Sequence, residues 1–180
     1  MLKVLVLFAH PRLEKSRINR RLIRAIPPDL PVTFHDFYEA YPDFNIDVER
    51  EKQLLLDHDL IIWHHPFYWY SSPPLLKQWI DMVLELGWAY GPGGNQLEGK
   101  WVMNALTTGG PAETYATGGR NRFSIDELLS PFNQTAFLCK MKYLPPFLIQ
   151  GTHRLSDEEL ETHAIRYQNM LIDAVNGKLV

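Results

Sequence analysis

The opening segment constrains the fold most. Met1 to Phe8 (Met-Leu-Lys-Val-Leu-Val-Leu-Phe) is an apolar run broken only by Lys3, short and partly β-branched. Such a run reads as a strand buried on both faces, as in a parallel sheet, rather than as a helix. It stops at Ala9-His10-Pro11, passes through a polar, basic loop from Arg12 to Lys15, and gives way at Ser16 to a helical pattern. Serine is a favoured N-cap, and Ile18, Leu22 and Ile26 recur on one helix face. Strand, loop and helix start, in that order, aim unpaired backbone N–H groups and the positive end of a helix dipole at one point. Such a point binds phosphate. His10, Ser16 and the amides of Arg17, Ile18 and Asn19 would form the cradle. Arg12, Lys15, Arg17, Arg20, Arg21 and Arg24 crowd the segment against one acid, Glu14. A basic run is usually just a solvated helix face; its position, starting where the strand ends, favours a binding role. No glycine-rich loop is present, so neither the dinucleotide fingerprint nor a P-loop applies.

The rest of the chain alternates in the same way. The first helix ends by Pro27-Pro28. Pro31 to Asp36 reads as a second, edge-like strand, and Tyr38 to Ile46, aromatic and turn-rich, as a loop. Asp47 caps a helix running to about Leu56. Leu60 to His65 is a third strand, stopped by Pro66, with a loop from Phe67 to Ser72. Pro73-Pro74 opens a helix with a stripe at Leu75, Leu76, Trp79, Ile80 and Val83. Gly87 to Gly99 is a turn-rich excursion, Trp101 to Leu106 a fourth strand, and Thr107 to Arg122 a long Gly/Thr-rich loop of the kind that carries function. Ser124 to Lys142 is helical in two pieces broken at Ser130-Pro131, and Pro145 to Gln150 is a fifth strand. The last helix starts with the capping box Ser156 to Glu159 and stops at Gly177. These elements define one α/β domain over residues 1–180, a doubly wound, flavodoxin-like, five-stranded parallel sheet of order 2-1-3-4-5.

In such sheets ligands bind beyond the carboxyl ends of the strands. The first loop there offers phosphate binding. The second, Pro66-Phe67-Tyr68-Trp69-Tyr70, offers four consecutive aromatics, which cannot all face one core. The third, Thr107-Thr108-Gly109-Gly110, offers small residues and free amides, with the glycines letting the backbone approach a ring. A phosphate, a flat apolar surface and a close-approach backbone together describe a site for a phosphorylated planar ring, and flavin mononucleotide (FMN) fits. The competing reading of the aromatics is core packing or an oligomer interface.

Other chemistries find little support. His64-His65 point to opposite faces of a strand, no carboxylate or cysteine stands at ligand spacing, and no metal site is expected. Cys139, the only cysteine, reads as an inert buried thiol, excludes an internal disulfide and suits a reducing compartment. Asn133-Gln134-Thr135 fits a glycosylation sequon, but nothing else suggests secretion. Net charge is -3 on 180 residues, which argues against a nucleic-acid partner. No apolar run is long enough to span a membrane.

Several runs carry a resemblance. Ala9-His-Pro with Ser16-Arg-Ile-Asn19, Pro66 to Tyr70 with Pro74-Leu-Leu-Lys-Gln-Trp79, and Thr107 to Gly110 resemble the NAD(P)H:quinone oxidoreductase family of flavodoxin-like flavoproteins, over nearly the whole chain. Tyr41-Pro-Asp-Phe-Asn-Ile-Asp47, His65-Pro with Trp69-Tyr-Ser71, Gly87-Trp-Ala-Tyr-Gly91 and Leu144-Pro-Pro-Phe147 are more specific, and resemble the ancillary subunits of Kef glutathione-gated potassium efflux systems. The resemblance implies that His10 and Ser16 to Asn19 hold the flavin phosphate, Phe67 to Tyr70 the isoalloxazine, and Thr107 to Gly110 its pyrimidine side. It implies a two-step hydride relay from NADPH or NADH to a quinone. It also implies a homodimer with the site at the subunit boundary, which would account for the aromatic excursion after Gly87. A Kef-type potassium/proton antiporter would be a partner, holding a cytoplasmic protein to the inner face of the membrane.

One departure stands out. Mammalian-type quinone reductases follow Thr-Gly-Gly with a Tyr and, six residues later, a His; here Tyr115 holds the first position and Asn121 the second. Stabilising charge on a reduced ring would then fall to Tyr115, Arg120 or the backbone. The short C-terminal part leaves little to grip the adenosine of FAD, so FMN is favoured over FAD. Two rivals are a purely regulatory flavin-binding subunit of the efflux system and a one-electron carrier. The latter is disfavoured because its Thr/Gly-rich phosphate loop and strong acidity are missing.

Overall fold

The computed structural model describes residues 1–116 and 118–180. Its elements are β1 (Val4–Phe8), α1 (Arg17–Arg24), β2 (Val32–Asp36), α2 (Phe37–Ala40), α3 (Val48–Asp57), β3 (Leu60–Pro66) and α4 (Pro74–Val83). Then follow β4 (Trp101–Thr107), α5 (Ile125–Leu128), α6 (Ser130–Leu138), β5 (Lys142–Tyr143), β6 (Phe147–Ile149) and α7 (Asp157–Val175). Every ladder is parallel and the order is β2-β1-β3-β4-β5, with β6 also on β4. This is the flavodoxin-like arrangement expected.

The alternation of side chains along each strand divides the core into two layers. Val4, Val6 and Phe8 face Leu22 of α1 and Ala164, Tyr167 and Leu171 of α7. Leu5 and Leu7 face the other way, toward Leu55, Leu76, Trp79 and Phe132 on α3, α4 and α6. His64 and His65 obey the same rule. His64 meets Tyr167 of α7, while the His65 ring stacks on Phe132 of α6 at 5.5 Å. In the second layer the buried carboxylate of Glu51 accepts from Trp79 Nε1 (2.7 Å) and Tyr41 OH (2.6 Å), and pairs with His35 Nε2 (2.7 Å). That triple contact ties α3 to β2 and α4.

The fifth strand differs from expectation. Instead of one run from Pro145 to Gln150, two short segments lie beside β4. Lys142, expected in a helix, is the first residue of β5. Trp101 faces Lys142 but Ala105 faces Phe147, so the register slips by one residue between them. Pro145 and Pro146 sit at the slip, since they have no N–H for the ladder. Further corrections are local. Phe37–Ala40 forms a helical turn that takes up the start of the Tyr38 to Ile46 loop, because Asp36 caps it by accepting from the amides of Tyr38 and Glu39. Pro66 and Thr107 end their strands rather than begin loops, and α1 ends at Arg24, before the prolines. The excursion after Gly87 is packed on the domain: Ala89 and Leu97 are buried, and Trp88 and Tyr90 pack against the core.

Candidate functional site

Two adjoining cavities open at the carboxyl ends of β1, β3, β4 and β6. The first, about 380 Å³, is lined by His10, Arg12, Lys15, Ser16, Asn19, Tyr68 and Thr107 among others. The second, about 670 Å³, is lined by Trp69, Tyr70, Gly110, Tyr115, Arg120 and Asn121 among others. Phe67, Gly109 and His153 line both, so the two form one trough.

The smaller cavity sits at the N-terminus of α1. Ser16 caps the helix, its Oγ accepting from the Asn19 amide at 3.2 Å. The amides of Arg17 and Ile18, in the first turn, have no intrahelical partner. His10 is buried, and its Nδ1 accepts from the Arg12 amide at 3.1 Å, which leaves the proton on Nε2. Burial holds the His10 pKa below its ordinary value, so the ring is a neutral donor near neutral pH. The basic crowd read from the sequence is dispersed. Arg17 pairs with Asp157 and Arg21 with Glu161 on α7, and Arg20 donates to the Ser16 carbonyl. Arg17 therefore turns its guanidinium away from this cavity. Ile18, on the cavity wall, has its side chain buried in the core. Arg12, 4.0 Å from the Glu14 carboxylate, and Lys15 remain as the side-chain cations on the wall.

The larger cavity is walled by a strained turn. The Ser71 amide donates to the Tyr68 carbonyl at 3.0 Å, and the two central residues are left-handed, Trp69 at φ 49° and Tyr70 at φ 62°. This is the type I′ geometry that normally takes Asn-Gly. Bulky residues there cost about 1–3 kcal/mol each, a strain found mostly at functional sites. The turn separates the four aromatics. Phe67 stays buried, Tyr68 turns to the His10 ring at 6.2 Å, and Trp69, 91% exposed, stands with Tyr70 over the larger cavity. Opposite, Tyr115 lies edge-on to Phe67 (centroids 6.0 Å apart), and burial raises its pKa, so it is a neutral donor. Asn121 accepts weakly from Tyr70 OH at 3.4 Å.

The four residues from Thr107 to Gly110 divide their work. Thr107 ends β4 with its Oγ1 accepting from Asn19 Nδ2 at 3.1 Å, and the Thr108 hydroxyl donates to the Gly110 carbonyl at 2.7 Å. A Cβ on Gly109 would lie 2.6 Å from His153 Nε2, and one on Gly110 would lie 2.9 Å from Thr114 Oγ1 and 3.1 Å from the Tyr115 ring. Side chains of this chain's own loops crowd both positions. Thr152, His153 and Arg154, which follow β6, were missed altogether. The rule that pointed to the other three loops applies equally to the strand before Gly151, and would have found them.

Among the described residues no cluster of three or more His, Cys, Asp or Glu could hold a metal ion. Among the same residues no helix is long and apolar enough to cross a membrane. Burial pushes the Cys139 thiol up to about 11, so it is not a nucleophile. The donor set suits FMN: helix amides, hydroxyls, an imidazole N–H and two cations at one end of the trough, aromatic rings and a phenol at the other.

Fold and site together define a flavodoxin-like protein. The chain belongs to that family, whose model, described as "Flavodoxin-like fold", matches residues 2–171. It is 51% identical over 166 residues to the uncharacterized NAD(P)H oxidoreductase YdeQ of Bacillus subtilis, covering 92% of this chain and 84% of that one. It is 47% identical over 169 residues to the glutathione-regulated potassium-efflux system ancillary protein KefG of Serratia proteamaculans, covering 94% and 92%. Among solved structures, general stress protein 14 of Treponema denticola, in complex with FMN, superposes with a TM-score of 0.90 at 39% identity, covering 96% and 99%.

Proposed function

We propose that this chain is an FMN-dependent NAD(P)H:quinone oxidoreductase working by a ping-pong relay. The observation that carries the reading is the single trough with an anion-donor end and an aromatic end. His10, Ser16, Thr107 and the amides of Arg17 to Asn19 would hold the phosphate, with Arg12 and Lys15 as counter-charges. Phe67, Trp69 and Tyr70 would seat the ring, and Thr108 to Gly110 would border it. Bound FMN supplies the hydride chemistry, accepting a pair from NADPH or NADH and giving it to a quinone. The protein's share is orientation and charge. Trp69 and Tyr70 would hold one face of the ring, and the neutral Tyr115 hydroxyl would donate to negative charge developing in the slot. The relatives named as an NAD(P)H oxidoreductase and as an FMN complex support this reading. The test is an absorption spectrum of the purified protein, then stopped-flow mixing with NADPH and NADH. Flavin that does not bleach with either donor would end the enzyme reading; protein that stays colourless in excess FMN or FAD would end the cofactor reading.

A second role is favoured by the 47% identity to KefG. In it the protein docks as an ancillary activator on a Kef-type potassium/proton antiporter, at the inner face of the membrane. The two roles separate in one experiment: a flavin-site variant that still activates efflux would make activation independent of redox turnover. A homodimer has support from exposed apolar side chains on neighbouring elements, Leu86 at 68%, Phe137 at 74% and Leu138 at 51% exposure. Sedimentation gives its mass.

A further inference from the structure

Behind the phosphate end lies a chain of buried polar groups that the proposed reaction does not use. His64 and Tyr167 are fully buried and Asn19 is 1% exposed. His64 Nδ1 lies 2.9 Å from Tyr167 OH, and His64 Nε2 lies 3.0 Å from Asn19 Oδ1. Asn19 Nδ2 in turn reaches Ser16 Oγ at 3.0 Å and Thr107 Oγ1 at 3.1 Å. The chain begins on α7, runs along one face of the sheet past His64 of β3 and Asn19 of α1, and ends on the two hydroxyls at the cavity wall.

Heavy atoms alone allow this chain to run either way. The far end decides. Among the described residues the Tyr167 hydroxyl has His64 Nδ1 as its hydrogen-bonding partner. If Nδ1 carried the proton, the buried Tyr167 O–H would have no acceptor, and an unpaired buried donor is costly. Tyr167 therefore donates to Nδ1. The proton of the neutral imidazole is then on Nε2, which donates to Asn19 Oδ1. That orients the Asn19 amide, so that its Nδ2 donates to both hydroxyl oxygens. With Ser16 Oγ and Thr107 Oγ1 accepting from within, their own O–H groups are left to donate into the cavity. Reversed, both hydroxyls would give their protons to Asn19 and show the cavity lone pairs.

We propose that His64 and Tyr167 are positioning residues of the phosphate cradle: through Asn19 they fix the Ser16 and Thr107 hydroxyls as donors toward the cavity. The chain thereby selects an anion over a neutral polar group at that end. The inference rests on the FMN reading of the trough, but the direction of the chain does not. Burial supports it by holding His64 neutral, its pKa pushed down to about 3, so that the doubly protonated ring does not compete near neutral pH.

Two measurements test it. Long-range 1H–15N NMR of the protein, with and without flavin, should show His64 as the Nε2–H tautomer, and an Nδ1–H ring would overturn the proposal. Titrations with FMN and with riboflavin, which lacks the phosphate, then compare wild type, His64→Leu and His64→Gln. His64→Leu should weaken FMN by about tenfold or more, the scale of losing a charge-assisted bond, and leave riboflavin within about twofold. His64→Gln keeps a donor near the Nε2 position and should restore most of the loss. Equal weakening of both flavins, or unchanged FMN affinity, would overturn it. Should His64→Leu not fold, Asn19→Asp serves, because its carboxylate accepts both hydroxyl protons and should abolish the preference for FMN over riboflavin. A wild-type protein that binds neither flavin would defeat the FMN reading, and the tautomer would still decide the chain's direction.

Discussion

Acid should destabilise this protein in a window set by two histidines. His64 and His65 are fully buried, and burial lowers their pKa values to about 3 and about 4. In the unfolded chain each titrates near its ordinary value, roughly 6.5. Between those limits the unfolded state holds more protons, so unfolding free energy falls as pH falls. From pH 7 to pH 5 each ring costs roughly 2 kcal/mol by linkage, and the pair roughly 4. That is a large share of the roughly 5–15 kcal/mol typical of a domain. His10, also lowered by burial, adds in the same direction. The window stops at pH 5 because ordinary carboxylates titrate below it. The assay is urea unfolding of flavin-free protein at pH 7, 6 and 5. His64→Gln should recover about 2 kcal/mol of the loss across that span. A wild type as stable at pH 5 as at pH 7, or a His64→Gln variant with the wild-type pH dependence, would refute the reasoning.

Replacing Trp69 and Tyr70 by Asn-Gly relieves two left-handed side chains and should raise the stability of the flavin-free protein by about 1 kcal/mol or more, while weakening flavin binding through loss of two rings that seat it. Urea midpoints without flavin and an FMN titration read the two effects separately. Gly109→Ala puts a Cβ 2.6 Å from His153 Nε2, so His153 must leave the trough. Flavin affinity should drop several-fold with little change in Tm, as titration and a melt will show. Glu51→Ala strands three buried partners, Trp79, Tyr41 and His35, and should cost roughly 3–5 kcal/mol in denaturant unfolding. Tyr115→Phe should lower kcat by about tenfold or more with flavin affinity nearly unchanged, as expected for a donor that acts on developing charge.

The parts legible in the sequence are those with a local physical cause. The buried β1 run, Ser16 as N-cap, the proline start of α4 and the capping box of α7 each declare themselves in a few residues, and the α/β alternation carries the topology. What stayed hidden depends on distant partners. Lys142 reads locally as helix, because its place in β5 comes from Trp101 of β4. The turn at Phe37–Ala40 hides among aromatic residues because its cause is a single capping carboxylate, Asp36. At the site, three of the four loops were found, but the fate of the basic residues was not. Whether Arg17 faces the cavity or Asp157 depends on α7, which lies 140 residues further on.

His64 shows how closely stability and recognition are bound here. As a lone histidine beside another on a strand it reads as filler. Placed between Tyr167 and Asn19, it has one tautomer that leaves no buried donor unpaired. The burial that makes it a fixed relay also makes it unable to accept a proton without cost. On protonation, both ring nitrogens become donors and the Tyr167 hydroxyl loses its acceptor. Acid should therefore act first at the contact of α7 with the sheet, before it reaches the cavity. Loosening of α7, followed by amide hydrogen exchange from pH 7 to pH 5, should precede loss of protection in β1. If β1 and α7 lose protection together, the histidine is not the weak point.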